Sequence, residues 1–276
     1  MSNNIIKIIN MKKLTFYNGL LLVVFLGMSA CVDIENGFFG DAVEGNGKVI
    51  EASRSVGEFS KISVSEGINA FIVMGEEENI KIEADENLEE LIVVEVKGDW
   101  LKVHLKNQVK SYKKLDVYIT ADDLEAIKAS SSADVMVESD IEAESFSAKA
   151  SSAGSLSMQA LNVNELDGSA SSSGKIYIND LTTKKADLDA SSAGNIKVNG
   201  GTIEVFEGKA SSSGDLSMSV VQAQKCFAKA SSGGDIWITV NETLEGKASS
   251  GGSIKYSGSP QVDKMETSSG GSISKE

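Results

Sequence analysis

Proline, arginine and histidine each occur once in this chain of 276 residues, at Pro260, Arg54 and His104. With one histidine and one arginine, the chain offers little of the acid-plus-base cleft that sugar-cleaving enzymes require. Cysteine occurs twice, at Cys31 and Cys226, and aromatic residues make up only 6%. Basic charge is also scarce, with 26 lysines and arginines against 40 acids. Removing residues 1–30, which hold Lys7, Lys12 and Lys13 and no acid, leaves 23 − 40 = −17. Nucleic acid needs a basic footprint that this balance does not provide. An acidic surface instead favours solubility and attracts cations or cationic partners.

What is abundant is a repeat. The phrase Ala-Ser-Ser-x-(Gly/Ala)-x-apolar starts at Ala129, Ala150, Ala170, Ala190, Ala210, Ala230 and Ala248, and at Thr267 with threonine in front. The steps are 21, 20, 20, 20, 20, 18 and 19 residues, and a period of this size marks a stacked repeat architecture. Six residues after each start stands Val135, Leu156, Ile176, Ile196, Leu216, Ile236, Ile254 or Ile273, and two further on comes a second apolar column from Val137 to Tyr256. Four before the starts run Phe146, Leu166, Ala186, Phe206, Cys226 and Leu244. Two before run Ala148, Gly168, Leu188, Gly208, Ala228 and Gly246, with Lys149, Ser169, Asp189, Lys209, Lys229 and Lys247 between. This period-two alternation predicts strands. Each repeat reads as two strands and a turn, able to bury its apolar face only by stacking on its neighbours.

The glycine four residues after each start, Gly154 to Gly271 with Ala133 in the first copy, is expected at a sharp corner with positive φ. The two serine columns are expected to satisfy backbone groups at the bend or to bond to their copies one coil away. No base repeats with them, so they lack the partner that a nucleophilic serine needs. Cys226 falls in an apolar column and reads as a small buried hydrophobe.

Four segments follow. Residues 1–30 read as a signal peptide: Met11-Lys12-Lys13 precedes an apolar run through Leu20 to Leu26 that is short for a membrane span. Met28-Ser29-Ala30-Cys31 resembles a bacterial lipobox, which makes Cys31 the expected lipidation site and leaves Cys226 without a disulfide partner. Residues 31–47, rich in glycine and acid, read as a flexible tether, with Asp33 and Glu35 loosely resembling a surface-export signal. Residues 48–128 are β-rich but off the period, and are expected to begin the solenoid irregularly and close its N-terminal end. Residues 129–276 form the repeat β-solenoid.

Ser65-Glu66-Gly67-Ile68-Asn69-Ala70-Phe71-Ile72-Val73 resembles the Gly-Ile-Asn signature of the head GIN domain family, the putative auto-transporter adhesins. The run Ile80 to Asn87, the strand pair Leu115 to Leu124 and the Ala-Ser-Ser-x-Gly repeats are similar to its pattern as well, so the resemblance spans roughly residues 48–275. It implies an all-β, right-handed parallel β-helix belonging to a secreted or lipid-anchored envelope protein, and it supplies no catalytic residue.

One outward column places Asp167, Asp187 and Glu207 three before successive starts, with Ser147 and Phe227 flanking. Coils stack about 4.8 Å apart, so the carboxylates should adjoin. That spacing is open to three readings: a solvated face eased by Lys209 and Lys229, a cation or ligand column, or a retaining glycosidase pair. Tyr177 and Trp237 lie in another outward column with Lys197 and Lys255, three coils apart. No cofactor or resident metal is expected. The leading expectation is a non-enzymatic envelope lipoprotein, an adhesin or interaction scaffold at the outer membrane with a glycan or protein ligand. A polysaccharide-active enzyme at Asp167, Asp187 and Glu207 and a purely structural envelope protein are the alternatives.

Overall fold

The structure is a computed structural model that describes residues 42–276. It is a β-solenoid of stacked, mostly parallel coils in which the repeat phrase stays in register throughout. Ala129 pairs with Ala150, then Ala170, Ala190, Ala210, Ala230, Ala248 and finally Thr267. The aliphatic column follows the same rule, from Val135 through Leu156, Ile176, Ile196, Leu216 and Ile236 to Ile254, all buried.

Each coil has three sides, where the sequence alone reads as two strands. In the coil Ser155–Ala170, alternation breaks at residues 159–160 and again at 164–165. The inward residues are therefore Leu156 and Met158, then Leu161 and Val163, then Leu166, Gly168 and Ala170. The middle side stacks Val163, Thr183, Ile203 and Ala223. Its polar intruder, Thr183, is buried with its hydroxyl 3.1 Å from the Asn164 carbonyl and 3.0 Å from the Lys185 carbonyl. This side also absorbs the uneven repeat lengths, for register shifts between Met218 and Gln222 and again between Ala223 and Lys225.

The third side packs by trading size between neighbours. Phe206 sits beside Gly208 and Leu166 beside Gly168, whereas Ala186 sits beside Leu188. A β-carbon at Gly208 would overlap the Phe206 ring, and one at Gly168 would overlap Leu188. The core has native density only if each bulky residue meets a gap. Gly208→Ala is expected to cost about 1–3 kcal/mol. Adding Phe206→Leu should recover part of that loss, with a coupling of at least about 0.5 kcal/mol in denaturant titrations of the double-mutant cycle. Strictly additive losses would show that the two positions do not share space.

The corner differs from the sequence expectation in two ways. The glycine four after each start does not take positive φ; the second serine and the residue after it do, as with Ser152 at 49° and Ala153 at 61°. Glycine is required at the fourth place for room, because a β-carbon on Gly154 would lie 2.5 Å from the Ala129 carbonyl oxygen of the previous coil. The bonds that join successive corners are main-chain bonds: Ser151 N–H donates to Ala129 O at 3.0 Å, and Ala153 N–H to Ser172 O at 3.0 Å. The second serine of each pair is solvent-exposed.

At the N-terminal end the chain order and the spatial order part. The strand Lys61–Val64 lies between Trp100–Leu105 and Ala126–Ala129. The chain therefore makes one coil, moves outward to make the end coil with residues 100–121, and returns to start the repeats. Val64 pairs with Ala129, and Asn69 with Asp134. Val64-Ser65-Glu66-Gly67-Ile68 is thus a further copy of the corner, with Glu66 and Gly67 at the positive-φ places. Antiparallel strands Val49–Arg54, Asn79–Asp85 and Ile92–Lys97, with the short helix Glu86–Glu89, close this end and bury Leu88.

One carboxylate fastens the closure. Asp85 is fully buried and accepts the main-chain N–H groups of Gly47 at 2.9 Å, Lys113 at 3.2 Å and Lys114 at 3.0 Å. Burial pushes its carboxyl up, but the three N–H donors outweigh burial and hold it below the ordinary carboxylate value.

Candidate functional site

The fold presents rows of side chains on flat outer sides. The strands Ile141–Ala150, Ser155–Ala170, Lys175–Ser191 and Gly201–Ser211 bring the acidic column together as expected from register. Ser147 pairs with Asp167, Asp167 with Asp187, and Asp187 with Glu207. Each carboxylate meets an ammonium: Lys149 lies 3.1 Å from Asp167, Lys209 lies 3.8 Å from Asp187, and Lys185 lies 3.0 Å from Glu207. The partners are Lys149, Lys185 and Lys209, so the Lys229 of the sequence reading is not among them. A depression of about 290 Å³ reaches Asp167 together with Lys61, Glu125 and Glu165, but it excludes Asp187 and Glu207. The three column acids do not line one cavity, and among the described residues no group of three or more candidate ligands is arranged to hold a metal ion. Cys31 and the proposed signal segment lie outside the described residues.

The expected outward aromatics are engaged by lysines. Lys197 sits over the Tyr177 ring at 5.9 Å and Lys255 over Trp237 at 5.9 Å. Tyr177 also bonds Asn199. His104 approaches the Glu95 carboxylate at 3.6 Å and the Leu105 carbonyl at 3.2 Å, so it belongs to the closed end. Cys226 is buried, and burial pushes its thiol up to about 12, which leaves it unreactive.

Two surface features escaped the sequence. Tyr118, Phe71 and Met136 pair in register, and the Phe71 and Tyr118 rings stack at 5.1 Å, because the outermost coil inserts beside Asn69–Met74. Beside this column Lys114 and Lys81 flank Glu83, and their contacts hold its carboxyl at about 2. The second feature is a charge division along the third side. Glu165, Asp167, Asp187, Asp189 and Glu207 occupy the earlier coils. Lys209, Lys225, Lys229, Lys247 and Lys264 gather around the exposed ring of Phe227 in the later ones. The lysine columns are interrupted along the chain, so only the stacking reveals the cluster.

The family profile described as "Putative auto-transporter adhesin, head GIN domain" matches residues 58–180 and 169–260. No curated protein matches the chain. Among solved structures, a putative adhesin from Parabacteroides distasonis ATCC 8503 is similar, with 24% identity and a TM-score of 0.78. The similarity covers 86% of this chain and 100% of that one. A putative adhesin from Parabacteroides merdae ATCC 43184 has 23% identity and a TM-score of 0.76, covering 86% and 99% of the two chains. A putative lipid binding protein from Parabacteroides distasonis ATCC 8503 has 20% identity and a TM-score of 0.71, covering 85% and 99%. At these identities the likeness is one of fold.

Proposed function

The chain belongs to the head GIN domain family of putative auto-transporter adhesins, and from this premise we propose that it is a non-enzymatic adhesin of the cell envelope. The observation that carries the reading is the strict register of the outer columns. A partner laid along the solenoid meets the same side of every coil, one strand spacing apart. The main-chain ladder at each corner makes that surface stiff, which lowers the ordering cost of binding.

Anchoring is proposed at Cys31. An acylated cysteine followed by a tether would hold the solenoid at the outer membrane, with affinity rising by about 0.8 kcal/mol per buried CH₂. The acidic column fits a solvated face better than a catalytic pair, since Asp167, Asp187 and Glu207 each have a lysine partner and a glycosidase needs one acid kept protonated between two facing groups.

Metabolic labelling with a fatty-acid probe should mark the unaltered chain and leave the Cys31→Ser chain unmarked. Protease added to intact cells should then remove the solenoid. Equal labelling of both chains would sink the anchor, and full shielding from protease would sink surface display. Turnover of a broad glycan panel that disappears in Asp187→Ala would replace the adhesin reading with the enzymatic one.

A further inference from the structure

We propose that the depression around Phe227 binds a carboxylate-bearing sugar of an anionic glycan. The proposal deepens the adhesin reading and rests on it.

Phe227 interrupts the acidic column, following Glu207 and preceding Glu245, and its ring is 41% exposed. A depression of about 270 Å³ opens beside it, lined by Phe227, Lys229, Glu245, Lys247, Lys264 and Glu266. Other outward rings carry an ammonium. Lys81 and Lys114 lie over Tyr118, Lys128 over Trp100, Lys197 over Tyr177 and Lys255 over Trp237. Among the described residues no such cation covers Phe227, although Lys225 and Lys229 stand on either side of it along the strand. Lys247 and Lys264 are tied to Glu266 at 3.2 Å and 2.8 Å. Lys225 and Lys229 make no ion pair among the described residues.

An open aromatic face between uncompensated ammonium groups is suited to a particular ligand. The apolar face of a pyranose ring packs on the phenyl ring, where burial of apolar area favours contact. The sugar's carboxylate takes charge-assisted hydrogen bonds from Lys229 or Lys225. Glu245, on the coil after Phe227, is placed to accept from ring hydroxyls. Lys209, Lys229 and Lys247 repeat in one column, so an anionic chain lying along the solenoid axis meets an ammonium at each coil. On a chain of net charge −14, this local excess also steers an anionic ligand to one side. An acidic peptide would satisfy the lysines but would leave the ring without a flat partner.

The test uses substitutions that the repeat already tolerates. Phe227→Ser reproduces Ser147 of the same column, and Lys229→Ser reproduces Ser169 of its own. Calorimetric titration of the full chain carrying Cys31→Ser is made with tetragalacturonate, its methyl ester and tetraglutamate. Tetragalacturonate is expected to bind, with the methyl ester and each serine variant at least tenfold weaker. Failure of tetragalacturonate to bind, or binding that survives both substitutions, overturns the proposal. So does tetraglutamate binding equally well without regard to Phe227. Retention of the protein on surfaces coated with diverse glycans separates the two levels. Retention unchanged in Phe227→Ser overturns this site and leaves adhesion standing, whereas no retention of the unaltered chain overturns both.

Discussion

Gly154→Ala is expected to destabilise the solenoid by about 3 kcal/mol or more, beyond the usual overpacking range, because the obstruction is main chain. The new β-carbon would lie 2.5 Å from the Ala129 carbonyl oxygen and 2.7 Å from the Ser130 nitrogen. That same oxygen accepts the Ser151 N–H at 3.0 Å. Relief requires the two coils to part, and parting breaks the ladder that holds them. The neighbouring residue gives the control. Ala153 has φ of 61°, a conformation that costs an L-residue roughly 1–2 kcal/mol, so Ala153→Gly should be neutral or mildly stabilising. For a domain of this size about 3 kcal/mol lowers Tm by roughly 6–12 °C. Thermal melts followed by circular dichroism should therefore separate the two variants widely. Equal melting temperatures would remove close coil approach as the reason for the glycine column.

Asp85→Ala should be about as damaging, with a loss of roughly 3–5 kcal/mol, since it strands three main-chain donors that now bond a buried charge. The effect has a pH signature. Asp85 titrates below its ordinary value in the folded protein, so its contribution is complete above the unfolded carboxylate value of about 3.9 and is lost as pH falls through the depressed folded value. The Asp85→Asn protein should lack this part of the acid dependence. Denaturant midpoints taken from neutral pH into the acid range should converge for the two proteins at low pH. Parallel curves would show that Asp85 is protonated in the native state. Because Asp85 bonds Gly47 and Lys113, proteolysis of Asp85→Ala is expected to begin in the 42–54 and 106–114 segments.

The repeat region was legible in the sequence because strand stacking preserves column identity. Ile176 lies on Ile196, and Asp167 on Asp187, as residue spacing alone suggests. The middle side was not legible. It holds Thr183 and Gly201 in inward rows, and it takes up every change of repeat length, so its columns drift along the sequence. The corner was located correctly but its chemistry was misassigned. Positive φ and lack of space both select small residues, and only the geometry separates Ser152 and Ala153 from Gly154. The end closure was hidden for a topological reason. Residues 75–125 leave the coil order and return, so Val64-Ser65-Glu66-Gly67 is displaced from its sister corner at Ala129 by some sixty positions. Of the surface, the acidic column was visible. The lysines around Phe227 were not, because Lys209, Lys225 and Lys264 join only when coils of 20, 18 and 19 residues are stacked.

Every statement about a binding face depends on which residues adjoin across coils, and engineered thiols report this directly. In a Cys31→Ser background, Ser169→Cys with Asp189→Cys puts two thiols on directly paired residues, within the roughly 4.4–6.8 Å Cα separation that a disulfide needs. Ser169→Cys with Lys209→Cys puts them two coils apart, near twice the strand spacing of about 4.8 Å. Mild oxidation followed by mass spectrometry should find an intramolecular bond in the first pair and free thiols in the second. Free thiols in the first pair, or equal bonding in both, would contradict the register on which the whole surface is built.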